Sequence, residues 1–246
     1  MPLMGTLDVG PVLATAPTMK TLSPEPWSLP RADLLQVSYE VEDAPALAIT
    51  PPALHPSIPP YVTFSFGRYP ESPNGAFTLG MVRLIVRAGI RPRGLLLGSW
   101  CDNPAAAEAL RTGWGYRVEV ADVSLTRRYG AQRGVVTIDG EVALDTAMLD
   151  PEPIVPGDLE LFDNLHLTNL EGADPVIVQV DPGYQYHRAD RGDPELAVFD
   201  AGRLGISGVV PDYAVVGVGC SADVELGPPR FVMDPEVAAV KSTRRL

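Results

Sequence analysis

Residues 100–125 read WCDNPAAAEALRTGWGYRVEVADVSL. The first half is a helix with both ends signalled. Asn103 is a good N-cap, because its side-chain oxygen can accept from the first unpaired backbone N–H groups. Pro104 stands at the first helical position, where its missing N–H costs nothing. AAAEALR is a run of strong helix formers, and Gly113 supplies a stop. The spacing predicts a helix over 104–112. LLLGSW (95–100) before it reads as a buried strand, and YRVEVADVSL (116–125) after it as another.

Outward from this unit the chain is mostly strand. LLQVSYEV (34–41), YVTFSFGRY (61–69) and GAFTLGMVRLIVRAG (75–89) carry β-branched and apolar residues with period-two alternation. PALAITPPALHPSIPP (45–60) contains six prolines. It allows a short helical turn near 44–48 and otherwise extended chain. Asp139-Gly140 marks a hairpin turn. LHLTNL, PVIVQVD and ELAVFD (165–200) and YAVVGVGCSADVEL (213–226) give further strands. Residues 1–27 read as an irregular arm and 28–246 as one domain. The fold class is mainly β (α+β): an antiparallel β-sandwich or cone-shaped barrel with few short helices, able to enclose a small ligand.

The net charge of −12 disfavours nucleic acid and anionic membrane surfaces as partners, since both need a basic face. A small anion stays possible, because one buried arginine can hold a carboxylate. No apolar run is long enough for a membrane helix, and the N-terminal segment lacks the pattern of a signal peptide. Two cysteines, Cys101 and Cys220, make no disulfide scaffold. The expected compartment is the cytoplasm. His55, His166 and His187 show no ligand spacing, so no metal site is read. No nucleotide or nucleophile-elbow motif appears, and no cofactor is expected. The only lysines are Lys20 and Lys241.

The residues resemble the acetoacetate decarboxylase family. Asp102-Asn103, the small-residue helix, Arg111 and then Tyr116-Arg117-Val118-Glu119 follow the family's Asp-Asn, helix, Arg, aromatic-Pro-Lys-Lys without a gap. SYEVEDAPALAITPPAL (38–54), YVTFSF, GAFTLG and VVGVGCSADVELGPPRFV are similar to further family segments. The resemblance implies an acetoacetate decarboxylase-like fold, a small-molecule substrate and a homo-oligomer. In the family the first lysine of the pair forms an imine with a keto acid, its amine kept neutral by a desolvated pocket. Here that position is Val118. Two family glutamates correspond to Leu79 and Ser65. The changes agree with one another, because a glutamate left in an apolar cavity without its cation costs several kcal/mol or becomes protonated.

Val118, Leu79 and Ser65 are therefore expected to line a cavity without imine chemistry. Arg31 lies near the family's substrate-binding arginine. Polar work would fall to Tyr116, Arg117, Glu119 and His187, with Glu119 as a general base if the strand shifts by one residue. Alternation gives the opposite placement for Arg117 and Glu119, facing away from Val118 as an exposed pair. His187 sits in DPGYQYHRADRGD (181–193), read as a polar loop. Two readings stand. One is a lyase catalysing decarboxylation, dehydration or cyclisation of a fairly apolar keto or enolisable metabolite without an imine. The other is a non-catalytic small-molecule-binding protein.

Overall fold

The computed structural model describes residues 3–246. The opening stretch forms a strand, a helix and a second strand. The helix runs Pro104–Trp114. Asn103 caps it, its side-chain oxygen accepting from Ala105 N at 2.9 Å and Ala106 N at 3.2 Å. The helix passes through Gly113 and ends at Gly115, which takes the left-handed conformation at φ 70°. Gly115 N and Tyr116 N donate back to Arg111 O and Leu110 O. The stop is thus two residues later than the sequence suggests, at the glycine whose backbone needs positive φ.

This helix is a crossover. It returns the chain so that Val118–Val120 pairs in parallel with Ser99–Cys101, a connection that a tight turn cannot make. Two other parallel pairings, Asn164–Leu165 on Gly94–Leu95 and Thr18–Met19 on Asn169–Leu170, interrupt an otherwise antiparallel sheet. Among the described residues sixteen strands belong to this one sheet. Its centre runs Asn164–Leu170, Pro92–Cys101, Phe77–Arg87, Tyr61–Tyr69, Trp27–Val41, Pro211–Leu226 and Gly183–Phe199. The few helices are short, and among the described residues none is long and apolar enough to cross a membrane.

The central strands are buried on both faces. In Tyr61–Tyr69, Val62, Phe64 and Phe66 enter one apolar cluster, and alternation turns Thr63, Ser65 and Gly67 to the other side. Phe77, Leu79 and Met81 join the second cluster with Ala107, Leu110 and Trp114 of the crossover helix. The helix therefore covers the face that carries the polar residue Ser65.

Two further expectations change. From Gly183 on, DPGYQYHRADRGD is no loop; it is the first part of the strand Gly183–Phe199. It pairs with Pro211–Leu226 along its first part and with Glu141–Pro153 along its second, and these ladders outweigh its polar composition. The N-terminal arm contains a short helix, Val9–Leu13, and the strand Thr18–Met19. Met1 and Pro2 of the arm lie outside the described residues. The turn at Asp139-Gly140 forms as expected, with φ of 53° and 80°, the two positive values of a type I′ hairpin.

Candidate active site

A cleft of about 50 Å³ lies on the face beneath the crossover helix. Its floor is built by three neighbouring strands. Gln36, Ser65 and Arg83 project into it from Trp27–Val41, Tyr61–Tyr69 and Phe77–Arg87. Leu79 and Met81 share their strand face with Arg83 by period two. Tyr69, Tyr116 and Tyr184 close its sides.

Arg83 dominates the site. It is 4% exposed. Nη1 donates to Phe162 O and Asn164 Oδ1, both at 2.7 Å. Nη2 donates to Gln36 Oε1 at 2.8 Å and Ser65 Oγ at 2.6 Å. All four acceptors are neutral, and no carboxylate pairs with this guanidinium among the described residues. Its Nε is buried without a partner. Desolvation of a single ion costs several kcal/mol even after relaxation, so the hydrogen bonds hold the cation in place while no carboxylate touches it and Asp163 acts on it only from beyond ion-pair distance. Burial pulls the Arg83 pKa down, and the neighbouring Tyr184, Tyr116, Tyr69 and Asp163 oppose that shift.

The surroundings fix this side chain locally. A Cβ at Gly94 would lie 2.8 Å from Arg83 Cδ, so a glycine is needed where the Arg83 stem crosses the next strand. A register shift between Val82 and Arg83 accompanies that crossing. Gln36 also donates to Glu160 O at 3.1 Å, which ties the 159–163 segment down over the guanidinium.

The three phenols are neutral donors. Burial pushes Tyr116 up to about 12, and the Arg83 charge acts in the opposite direction. Tyr69 and Tyr184 are raised further, again mainly by burial and again opposed by Arg83. None of the three hydroxyls makes a hydrogen bond among the described residues. No aspartate, glutamate, histidine or lysine lines this cleft.

The family described as acetoacetate decarboxylase (ADC) matches residues 11–179, more than half the chain. The chain belongs to the acetoacetate decarboxylase family. Among solved structures it is similar to the acetoacetate decarboxylase of Legionella pneumophila, at 19% identity and a TM-score of 0.72 over 84% of this chain and 86% of that one. It is also similar to the enduracididine biosynthesis enzyme MppR complexed with pyruvate, at 16% identity and a TM-score of 0.69 over 85% and 90% of the two chains. An acetoacetate decarboxylase-like enzyme from Sphingomonas wittichii RW1 matches at 14% identity and a TM-score of 0.65 over 83% and 91%. At these identities the likeness shows the fold, which is the mainly β, acetoacetate decarboxylase-like one expected. No curated protein matches.

Within this family fold the sequence candidates separate. Ser65, Leu79 and Tyr116 line the cleft together. Val118, at the family's lysine position, is 3% exposed and packs in the same apolar cluster as Leu79 and Tyr116, but it does not line the cleft. Its pairing with Ser99 seats it beside that strand, and Arg111 of the crossover helix donates to its carbonyl at 2.5 Å. Tyr116, two residues earlier, presents its ring to the cleft instead.

The remaining candidates lie elsewhere. Glu119 is exposed. Arg117 donates to Thr15 Oγ1 at 2.9 Å, beside a different cavity. His187 is exposed and its Nε2 lies 3.2 Å from Asp223 Oδ2. Arg31 pairs with Glu71 on the surface, in left-handed backbone at φ 55°. Lys20 and Lys241 are exposed, and neither lines the cleft. The residue that sequence reading missed is Arg83. Its signal was present: in GMVRLIV a single cation interrupts a strand that is otherwise apolar on both faces, and such a strand is buried.

Proposed function

We propose that the cleft is an active site that stabilises an enolate by a buried cation and neutral phenols, in place of an imine, and that the reaction is decarboxylation of a small, fairly apolar β-keto acid. The observation that carries this reading is Arg83, a buried guanidinium with no carboxylate partner. Of the three reaction types left open by the sequence, dehydration and cyclisation both need a base to remove a proton from carbon. The cleft lining offers acids and a cation but no base. Loss of CO₂ from a β-keto acid needs no base. The C–C bond breaks, its electron pair moves into the carbonyl, and the negative charge passes from carboxylate to enolate oxygen. A proton then returns to carbon from solvent or a phenol.

The charge movement matches the site. With the carbonyl oxygen near Arg83 and the Tyr hydroxyls, the developing oxyanion gains what the ground state lacks. The carboxylate then lies against Leu79, Met81 and Phe77, where desolvation favours loss of its charge. The serine at position 65 supports the same reading. A glutamate there would neutralise Arg83, whereas Ser65 holds the guanidinium and leaves its charge for a ligand.

A second reading is a non-catalytic protein that binds small carboxylates. It is favoured by one feature: all four Nη hydrogens of Arg83 are already taken by protein acceptors, so only its charge and Nε–H remain for a ligand. Release of CO₂ from a panel of β-keto acids separates the two. Turnover that disappears in Arg83→Met, survives Lys20→Ala and Lys241→Ala, and leaves no borohydride-trapped adduct supports the enzyme. Binding without CO₂ release supports the carrier, and a trapped lysine adduct refutes imine-free chemistry.

A further inference from the structure

The long strand Gly183–Phe199 changes partners half-way. It pairs with Pro211–Leu226 as far as Gly192 opposite Gly217. Beyond that point it follows Glu141–Pro153, with Asp193 opposite Leu149 and Phe199 opposite Leu144. Residues 211–216 stay with Trp27–Val41. The sheet therefore divides into two branches, each paired on one side only. Between them lies a crevice of about 530 Å³, lined by Asp193 and Pro194 from one branch and Val215 and Val216 from the other. Among the described residues no backbone hydrogen bond crosses it.

Two glycines set the division. Met148 and Leu149 pass so close to the junction that a Cβ at Gly192 would strike Leu149 O, and one at Gly217 would lie 2.9 Å from Met148 Cβ. A register shift between Leu149 and Glu152 follows, and such a bulge bends one strand away from its neighbour. The freed edge at 211–216 is not covered. A free edge ordinarily carries lysines or lies under another segment, yet here Tyr213 is 68% exposed and Val215 50%. The charge around it has one sign. Asp150, Glu152 and Asp193 line the crevice with Arg191 as their single cation, and none of these four makes an ion pair among the described residues. Glu195 and Asp212 add an exposed carboxylate to each branch.

We propose that this split is a docking site for an extended peptide segment of another protein, its basic side chains alternating with small apolar ones, which adds as a strand along the free edge at 211–216. The unpaired edge sets the first property, since its N–H and C=O groups are completed by another main chain. Tyr213 and Val215 set the apolar positions. Asp150, Glu152 and Asp193 set the basic ones. The same carboxylates disfavour a second copy in this place, because a two-fold contact would bring the acidic lining against itself. The inference does not depend on the reaction assigned to the Arg83 cleft.

The probe is the hexapeptide acetyl-Lys-Val-Lys-Val-Lys-Val-amide, titrated into the ¹⁵N-labelled full chain and followed by NMR. It should saturate one site, shift the amides of Asp193, Tyr213 and Val215, and slow hydrogen exchange at Tyr213 and Val215. Two further peptides, N-methylated on the valines or on the lysines, test the ladder, because alternate N–H groups of an added strand point to the same side. One of the two should bind at least about tenfold more weakly than the parent, the loss of one hydrogen bond or more. The glutamate-for-lysine peptide should not bind. Glu152→Lys combined with Asp193→Lys, both exposed positions, should weaken the parent peptide about tenfold. If that variant fails to fold, the wild-type affinity should fall as salt is raised. Equal binding of both N-methylated peptides and the parent, binding of the glutamate peptide, an affinity indifferent to salt, or no saturable binding would each overturn the proposal. So would protection of Tyr213 and Val215 that rises with protein concentration in the absence of peptide, which would make the edge a contact between copies.

Discussion

The Arg83 cleft and the cavity beside Arg117 share a wall and are built on opposite principles. Tyr116 lines the first and His166 the second, and the two rings touch. The first surrounds a cation whose hydrogen bonds are nearly complete and whose charge is not. The second has in its wall a neutral ring whose one acceptor is unfilled but sealed in by its neighbours. The first leaves charge for a ligand; the second leaves its unfilled hydrogen bond as a cost of folding. The contrast shows why a polar residue in a core has to be judged by what its partners leave over. Four good hydrogen bonds do not make Arg83 inert, because none of them brings a negative charge.

The sharpest way to break the comparison is to remove the charge. Arg83→Met should abolish turnover and weaken anion binding by about 100-fold, the scale of a charge-assisted hydrogen bond. Initial rates and calorimetry check this. It should also lower stability, since Gln36, Asn164, Ser65 and the Phe162 carbonyl lose their donor together. The opposite residue gives the opposite signature. Burial lowers the His166 pKa from 6.5 to about 4, opposed by its bond to Trp114 and reinforced by Arg83. At pH 5 the unfolded chain binds a proton on this histidine and the folded chain does not. Stability contributed by the neutral ring is therefore complete above about 6.5 and is lost as pH falls toward about 4. The loss amounts to about 3 kcal/mol. Chemical denaturation across pH 4–7 should show that acid limb in the wild type and a flatter one in His166→Phe.

Two smaller changes sharpen the picture of the cleft. Ser65→Glu supplies an internal counterion, and the cleft of about 50 Å³ gives the longer side chain room. Anion affinity should drop about tenfold or more while Tm holds or rises, which calorimetry and a melt would record. Tyr116→Phe removes one phenol from three and should slow turnover by about tenfold, the effect of one oxyanion donor of moderate strength. Because burial keeps Tyr116 protonated to about 12, the wild-type rate should not show a phenol ionisation near pH 10. A rate that falls through pH 10 would place the hydroxyl in water.

Much of this was legible in the sequence. Local signals gave the crossover helix with its Asn103 cap, the turn at Asp139-Gly140 and the strand-rich fold. Ser65, Leu79 and Tyr116, which line the cleft together, are three that the family resemblance names. What escaped was non-local. The parallel pairing of Val118 with Ser99 is set by where the helix returns the chain, and no residue near Val118 reports it. The polar stretch 181–193 becomes strand only because two neighbours pair with it. Arg83 escaped for another reason. The lost lysine drew attention to position 118, while the cation that remains in the cleft stands four residues beyond Leu79, in a strand whose apolar flanks already marked it as buried.

Acetylacetone tests the central claim most directly. It is a diketone that carries no carboxylate and forms a stable enolate with its own ultraviolet absorbance. If the Arg83 cleft is an oxyanion site, the protein should bind acetylacetone one to one as the enolate. Enolate absorbance should appear at a lower pH than for the free diketone, return to the free value on dialysis, and vanish in Arg83→Met. An enolate signal equal in wild type and Arg83→Met, or absent from both, would contradict the account.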